Sequence, residues 1–269
     1  MDFKNGFSGK SFSLQKISAA CTSNTGRKRK NNEDNFLFNG QYMPVSNGGL
    51  PIIIEREFFL RKKPFFAVFD GMGGGDYGEI ASFTAVRTIN EFLSGMDRPD
   101  NTDLTHFFTE LCQTANQAVY RSAQKLESET MGTTLAGLYF YAGQVWACNL
   151  GDSRTYLFRD GKLRQISEDH TDRVYMQENG ITGRKPYLTQ YLGMDSREVR
   201  IVPCIKNISL LEGDRFLICS DGLTDMVCLQ RLQSVMQERK KPKWMVSRMV
   251  EAALDAGGKD NITVIVIST

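Results

Sequence analysis

Carboxylates recur in four short segments far apart in this chain: Asn32-Glu33-Asp34-Asn35, Phe69-Asp70-Gly71-Met72-Gly73-Gly74, Ser220-Asp221-Gly222-Leu223 and Lys259-Asp260-Asn261-Ile262-Thr263. Each places its acid at an expected strand end or turn. If folding gathers them they repel, since two unit charges ~4 Å apart at an effective dielectric of about 20 cost on the order of 4 kcal/mol. Such a cluster persists when hard divalent cations occupy it, and oxygen-only ligands suit Mg²⁺ or Mn²⁺. Two cations ~4 Å apart lower the pKa of a water and clamp the attacking and leaving oxygens of an in-line displacement. The chemistry these residues point to is hydrolysis at a two-metal site.

Other chemistries find less support. GxGxxG starting at Gly71 needs glycine where Asp76 stands, and no GxxxxGK[ST] is present, so neither phosphate-cradling fingerprint is met. Neither His106 nor His170 sits in a context that activates a Ser or Cys. His106 falls on the polar side of a helix, and His170 reads as a structural histidine. Asp70-Gly71 and Asp260-Asn261 are also ordinary turn pairs. Gly151-Asp152-Ser153-Arg154 reads equally as a hairpin whose Asp and Arg pair. The basic run Arg27-Lys28-Arg29-Lys30 has three readings: a solvated turn, a nucleic-acid patch, or a source of one arginine that reaches a phosphate at the acidic site.

Composition bounds the rest. With 269 residues, 41% hydrophobic and 24% charged, the chain is an ordinary soluble globular protein able to bury a core. No apolar run reaches the roughly 18 residues of a membrane span, and Met1 to Lys16 lacks the apolar stretch of a secretory signal. Six cysteines without a CxxC pair read as buried, reduced thiols, and the expected location is the cytoplasm. A net charge of +2 argues neither for nor against an anionic partner.

The elements that must hold the acids follow from periodicity. Pro64 to Phe69 is a continuously apolar strand ending at Asp70, and the glycines after it let the backbone turn and approach a ligand. Helices are expected at Asp76 to Leu93, Thr102 to Lys125, Asp172 to Asn179 (stopped by Gly180) and Lys243 to Ala256. Strands are expected at Thr133 to Tyr141, Gln144 to Leu150, Arg154 to Arg159, Lys162 to Ile166, Arg215 to Cys219 and Asn261 to Ile267. Ala142-Gly143 and Asp160-Gly161 read as hairpin turns. Tyr42 to Pro51 reads as a long surface loop. Antiparallel hairpins with two blocks of helices give an α+β class: sheet layers covered by helices in one domain, 1–269, with residues 1–16 as an extension.

Eight stretches then occur in the order found in one family. They are Gly26-x-x-Arg29-x-x-Asn32-Glu33-Asp34, Val68 to Gly74, Met131-Gly132-Thr133-Thr134-Leu135, Asn149 to Arg154, Asp169-His170, Leu188-Thr189-x-x-Leu192-Gly193, Cys219 to Leu223 and Asp260 to Thr263. Each alone is weak; together, from about residue 18 to the end, they resemble the metal-dependent Ser/Thr protein phosphatases of type 2C in their bacterial form. The resemblance implies a four-layer αββα sandwich of two antiparallel sheets flanked by helices, with two Mn²⁺ or Mg²⁺ ions at one end. It implies that Asp70 bridges both ions, that Glu33 and the Gly71 carbonyl serve the second, and that Asp221 and Asp260 hold the first. Asp34 would contribute directly or through water, and Arg29 would bind phosphate. The segment from about Thr171 to Pro186 corresponds to the family's variable flap.

The implied activity is hydrolysis of phosphoserine and phosphothreonine in proteins, opposing a Ser/Thr kinase, without nucleic-acid or membrane partners. A binding module that keeps the fold without turnover is the alternative. Where many eukaryotic members carry histidine after the Asp-Gly, this chain has Met72, which leaves the leaving-group proton donor unassigned. Where many members carry an aspartate for a third metal, this chain has Glu129.

Overall fold

The computed structural model describes residues 15–73, 77–95 and 103–269. Strands β1 (Lys16–Asn24), β2 (Asn35–Phe38), β3 (Ile54–Phe59), β4 (Phe65–Phe69) and the two-residue β5 (Gly71–Met72) precede helices α1 (Gly78–Gly95) and α2 (Leu104–Lys125). Next come β6 (Gly132–Thr133), β7 (Leu135–Tyr141), β8 (Gln144–Leu150), β9 (Arg154–Arg159), β10 (Lys162–Gln165) and the short helix α3 (Arg173–Glu178). The chain closes with β11 (Cys204–Ser209), β12 (Arg215–Cys219), α4 (Asp221–Thr224), α5 (Leu229–Gln237), α6 (Pro242–Asp255) and β13 (Ile262–Ser268).

Two antiparallel sheets form the middle layers, ordered β10-β9-β12-β13-β1-β3 and β11-β8-β7-β4-β2. Both faces of the central strands are buried, which is why they read as continuous apolar runs. In β4, Phe65, Ala67 and Phe69 pack under α1 and α2, while Phe66 and Val68 face the other sheet. In β13, Ile265 and Ile267 join that inter-sheet core, while Ile262, Val264 and Val266 pack under α5 and α6. The four layers implied by the resemblance are therefore present: helices, sheet, sheet, helices.

Both hairpin turns form as expected. Ala142-Gly143 (φ 48° and 73°) and Asp160-Gly161 (φ 52° and 73°) each place two left-handed residues between paired strands, the twist-compatible two-residue turn. The expected helix at Asp76 is seen from Gly78, and that at Thr102 from Leu104, where the Asp103 carboxylate accepts from the Thr105 and His106 amides. Residues 74–76 and 102, and the extension up to residue 14, lie outside the described residues. The last helix and α3 fall within a residue or two of expectation, and Gly180 is left-handed just past α3 (φ 63°).

Three readings need correction. The expected strand at Thr133 to Tyr141 is broken at Thr134, whose amide leaves the ladder to donate to the Asp70 carbonyl at 2.9 Å. The 42–51 loop is not wholly on the surface: Met43 enters the inter-sheet core, and Asn47 Oδ1 accepts from the buried Asn32. Of the six cysteines, four are buried, but Cys204 is half-buried and Cys228 is exposed. Among the described residues, no helix is long and apolar enough to cross a membrane.

Candidate metal centre

Strand register brings the carboxylates together. β2 pairs with β4 with Asn35 opposite Phe69, so Asp34 and Asp70 leave that sheet at the same end. Leu135 lies opposite Leu150, so Thr134 and the Gly151-Asp152 turn emerge there as well. In the other sheet Cys219 lies opposite Val264 and Asn24 opposite Ile262, which sets Asp221 and Asp260 at the matching end. The two groups meet where Ser220 Oγ donates to Asp34 Oδ2 at 2.7 Å, across the seam between the sheets.

An open pocket of about 650 Å³ lies at this end. Arg29, Glu33, Asp70, Gly71, Glu129, Asp152, Lys185, Asp221 and Asp260 are all in its wall. Six carboxylates thus face two cations there, and Asp34 lies buried close by. Burial pushes the Asp70 carboxyl well above its usual range, and the charges of Asp34, Asp221, Asp152 and Asp260 push it further. Asp34 rises to about 7 mainly through burial, against the hydroxyls of Thr263 and Ser220, which pull it back. Asp152 rises to about 7 through burial and then Asp221. Burial also raises Asp221, opposed by the Lys185 ammonium. Charge of one sign is concentrated here beyond what the protein's own cations offset.

Backbone fit is close around the acids. A Cβ on Gly71 would lie 2.1 Å from the Gly78 carbonyl oxygen and 2.5 Å from that of Glu33, so only glycine lets β5 pass between α1 and the Glu33 turn. The Gly71 amide donates to the Glu33 carbonyl at 3.2 Å. Asp70 is fixed at both backbone ends: its amide donates to Thr134 Oγ1 and its carbonyl accepts from Thr133 Oγ1, both at 2.9 Å. Asn261 ties the N-terminal turn to the last strand. Its Oδ1 accepts from the Glu33 amide at 2.8 Å, and its Nδ2 donates to the Thr25 and Asn31 carbonyls, both at 2.9 Å.

All the expected site residues reach this one pocket or its floor: Arg29, Glu33, Asp34, Asp70, Gly71, Asp221 and Asp260, with the exposed Glu129 at the rim. Among the described residues, no three of the carboxylates close on a common centre as their side chains stand. Two cations hold them instead: Arg29 Nη2 donates to Asp260 Oδ2 at 2.8 Å with Glu33 3.9 Å away, and Lys185 Nζ lies 3.3 Å from Asp221 Oδ2. The donor set is oxygen throughout, and its buried acids need positive charge to ionise. Both properties fit hard divalent cations.

Three contributors were not read from the sequence. Asp152 does not pair with Arg154, which donates instead to Asp169 (Nε to Oδ1, 2.9 Å); the Asp152 side chain belongs to the pocket. Its signal was the Gly151-Asp152 turn itself, left-handed at Gly151 (φ 93°) and packed against Thr134. Lys185 carries no motif, and the Asn261 cross-link becomes visible only in three dimensions. His170 is structural, as expected: its Nδ1 accepts from the Gly151 amide at 3.2 Å, and burial lowers its pKa. His106 is exposed.

The chain resembles known proteins along most of its length. The serine/threonine protein phosphatase PstP of Mycobacterium tuberculosis is 30% identical over 231 residues, 84% of this chain and 44% of PstP. The chain thus spans under half the length of that relative. The serine/threonine phosphatase Stp of Listeria welshimeri is 28% identical over 256 residues, covering 90% of this chain and 92% of Stp. A crystal structure of the PstP catalytic domain in complex with two manganese ions superposes with a TM-score of 0.72 at 28% identity, covering 94% of this chain and 98% of that one. The sequence profile of the family Protein phosphatase 2C matches residues 58–259. With its two-sheet sandwich and the acids gathered at one end, the chain belongs to the protein phosphatase 2C family.

Proposed function

We propose that this chain is a metal-dependent protein phosphatase that hydrolyses phosphoserine and phosphothreonine. The observation that carries the proposal is the convergence of Asp70, Asp152, Asp221 and Asp260 beside Arg29 in one open pocket with Asp34 buried close by, burial opposing ionisation of Asp34, Asp70, Asp152 and Asp221. Asp70 would serve two ions, Asp221 and Asp260 the first, and Glu33 with the Gly71 carbonyl the second. Asp34 would support the first ion directly or through water, and Glu129 is the candidate for a third. Mn²⁺ and Mg²⁺ both suit these ligands. Bound there, the ions would supply Lewis-acid charge and an acidified water for attack on phosphorus.

The chain's own groups do the rest. Arg29, now on Asp260, offers a planar fork of donors to the phosphoryl oxygens once the carboxylate is neutralised from another side. The open pocket admits a phosphorylated side chain still attached to its protein. Thr133 and Thr134 keep Asp70 from following the substrate or drifting between turnovers. Met72, in the pocket wall, offers no proton to the leaving oxygen.

The physiological setting we propose is reversal of a cytoplasmic Ser/Thr kinase by one catalytic domain spanning the chain, without nucleic-acid or membrane partners. Hydrolysis of a phosphothreonine peptide in EDTA, Mg²⁺ or Mn²⁺, comparing wild type with Asp70→Ala, tests the activity. Phosphate release that needs metal and is lost in the mutant is expected. Absence of release with either metal would leave a binding module as the better description.

A further inference from the structure

We propose that Lys185 is a counter-ion carried by the flap, competing with a divalent cation for Asp221 and thereby coupling metal loading to the position of residues 171–189. This inference rests on the metal-centre reading above. The flap is tied at its base by the Thr171–Leu188 bridge, by the Asp172 amide donating to the Tyr187 carbonyl at 3.0 Å, and by the Thr189 amide donating to the His170 carbonyl at 2.9 Å. Nearer the tip, Arg184 Nη2 meets Asp172 Oδ2 at 2.6 Å, and its guanidinium sits 4.0 Å over the Tyr187 ring. The Tyr187 amide donates to Asp172 Oδ1 at 2.7 Å.

Both sides of Lys185 are therefore held, and its ammonium is delivered to two carboxylates one helical turn apart. It lies 2.5 Å from Asp225 Oδ2 and 3.3 Å from Asp221 Oδ2. Asp221 belongs to the pocket wall; Asp225 does not.

The consequences follow from linkage. The Asp221 oxygen that accepts from the ammonium cannot at full strength also face a divalent cation, so each occupant weakens the other by the same factor. Asp225 gives the lysine somewhere to stay when Asp221 turns to metal. The lysine then keeps one of its two carboxylate contacts, and the flap loosens there without being released. The lysine side chain is 68% exposed and its partners 22% and 37%, so the coupling is small: roughly two- to fivefold in metal affinity, the scale of a solvent-screened pair.

Calorimetric titration of Mn²⁺ into the full chain tests this with wild type, Lys185→Gln and Asp225→Asn. Lys185 is exposed, so its substitution leaves the core untouched. Lys185→Gln should bind Mn²⁺ roughly two- to fivefold more tightly. Asp225→Asn, which leaves Asp221 as the lysine's remaining carboxylate, should bind it more weakly. Amide exchange across residues 181–188 should speed up when Mn²⁺ is added to wild type and be insensitive to Mn²⁺ in Lys185→Gln. Affinity unchanged or weakened in Lys185→Gln, or wild-type exchange indifferent to Mn²⁺, overturns the coupling alone. No Mn²⁺ binding by wild type overturns the metal centre and the coupling with it.

Discussion

Replacing Asp34 by Asn should make the metal-free protein more stable above pH 7. Asp34 is 1% exposed, and its carboxyl is raised from 3.8 to about 7, chiefly by burial. Such a group binds its proton more tightly folded than unfolded, so the folded state loses stability as pH rises through that interval. At about 1.4 kcal/mol per pKa unit, the full penalty is about 4 kcal/mol once the carboxylate is ionised. In a chain of this size that is on the order of 10 °C in Tm. Asp70, Asp152 and Asp221 are also raised and act in the same sense. His170, lowered by burial, acts in the opposite sense below its ordinary value.

Comparing the mutant with wild type removes most of these shared contributions, and asparagine keeps an oxygen for the Ser220 hydroxyl. Denaturant unfolding in EDTA at about pH 5.5 and about pH 8 measures the effect. Wild type should lose several kcal/mol on going to the higher pH, and Asp34→Asn clearly less. Saturating Mn²⁺ should restore wild type at the higher pH, because an ion that binds only the folded state pulls the equilibrium toward it. A mutant that loses as much stability as wild type would refute the idea that Asp34 is held as a strained, buried acid.

Three further outcomes are expected. Asp221→Asn should lower metal-dependent turnover by at least about a hundredfold, through lost metal geometry; near wild-type rates at saturating Mn²⁺ would count against its place in the site. Arg29→Ala should raise KM for a phosphopeptide roughly tenfold or more with a smaller change in kcat, since a charge-assisted contact serves ground and transition states alike; steady-state kinetics would show the split. Asn261→Ala should destabilise the fold by about 1–3 kcal/mol, because the Glu33 amide and the Thr25 and Asn31 carbonyls lose a buried partner. It should also weaken Mn²⁺ by roughly tenfold to a hundredfold, read by calorimetry.

Legibility in the sequence followed the local strength of each signal. β7 to β10 were readable because two-residue turns of Ala-Gly and Asp-Gly mark the hairpins, and α2 because its apolar stripe is regular. β1 was not, since its buried faces carry Ala, Ser, Thr and Cys, whose small side chains give little periodic contrast. β3 and β11 lie at sheet edges, half exposed, and lack the apolar alternation of an inner strand. The acids themselves were legible because each sits at a strand end beside apolar residues. Asp152 and Lys185 were not, because the first looks like any turn aspartate and the second reaches the site only through the tethering of Arg184 and Tyr187.

The pairing of β1 with β13 has a consequence for biosynthesis. Arg29 and Glu33 are made more than 200 residues before the partners that fix them, Asp260 and Asn261. A growing chain can build the β7–β8 and β9–β10 hairpins as it goes, because their contacts are local. It cannot close the acidic end until residues 262–268 insert between β12 and β1. Assembly of the acidic end thus waits on β13, and a chain without that strand would lack the pairing that sets Asp260 and Asn261 beside Arg29 and Glu33. In this protein, assembly of the acidic end reports that β13 has been made and inserted.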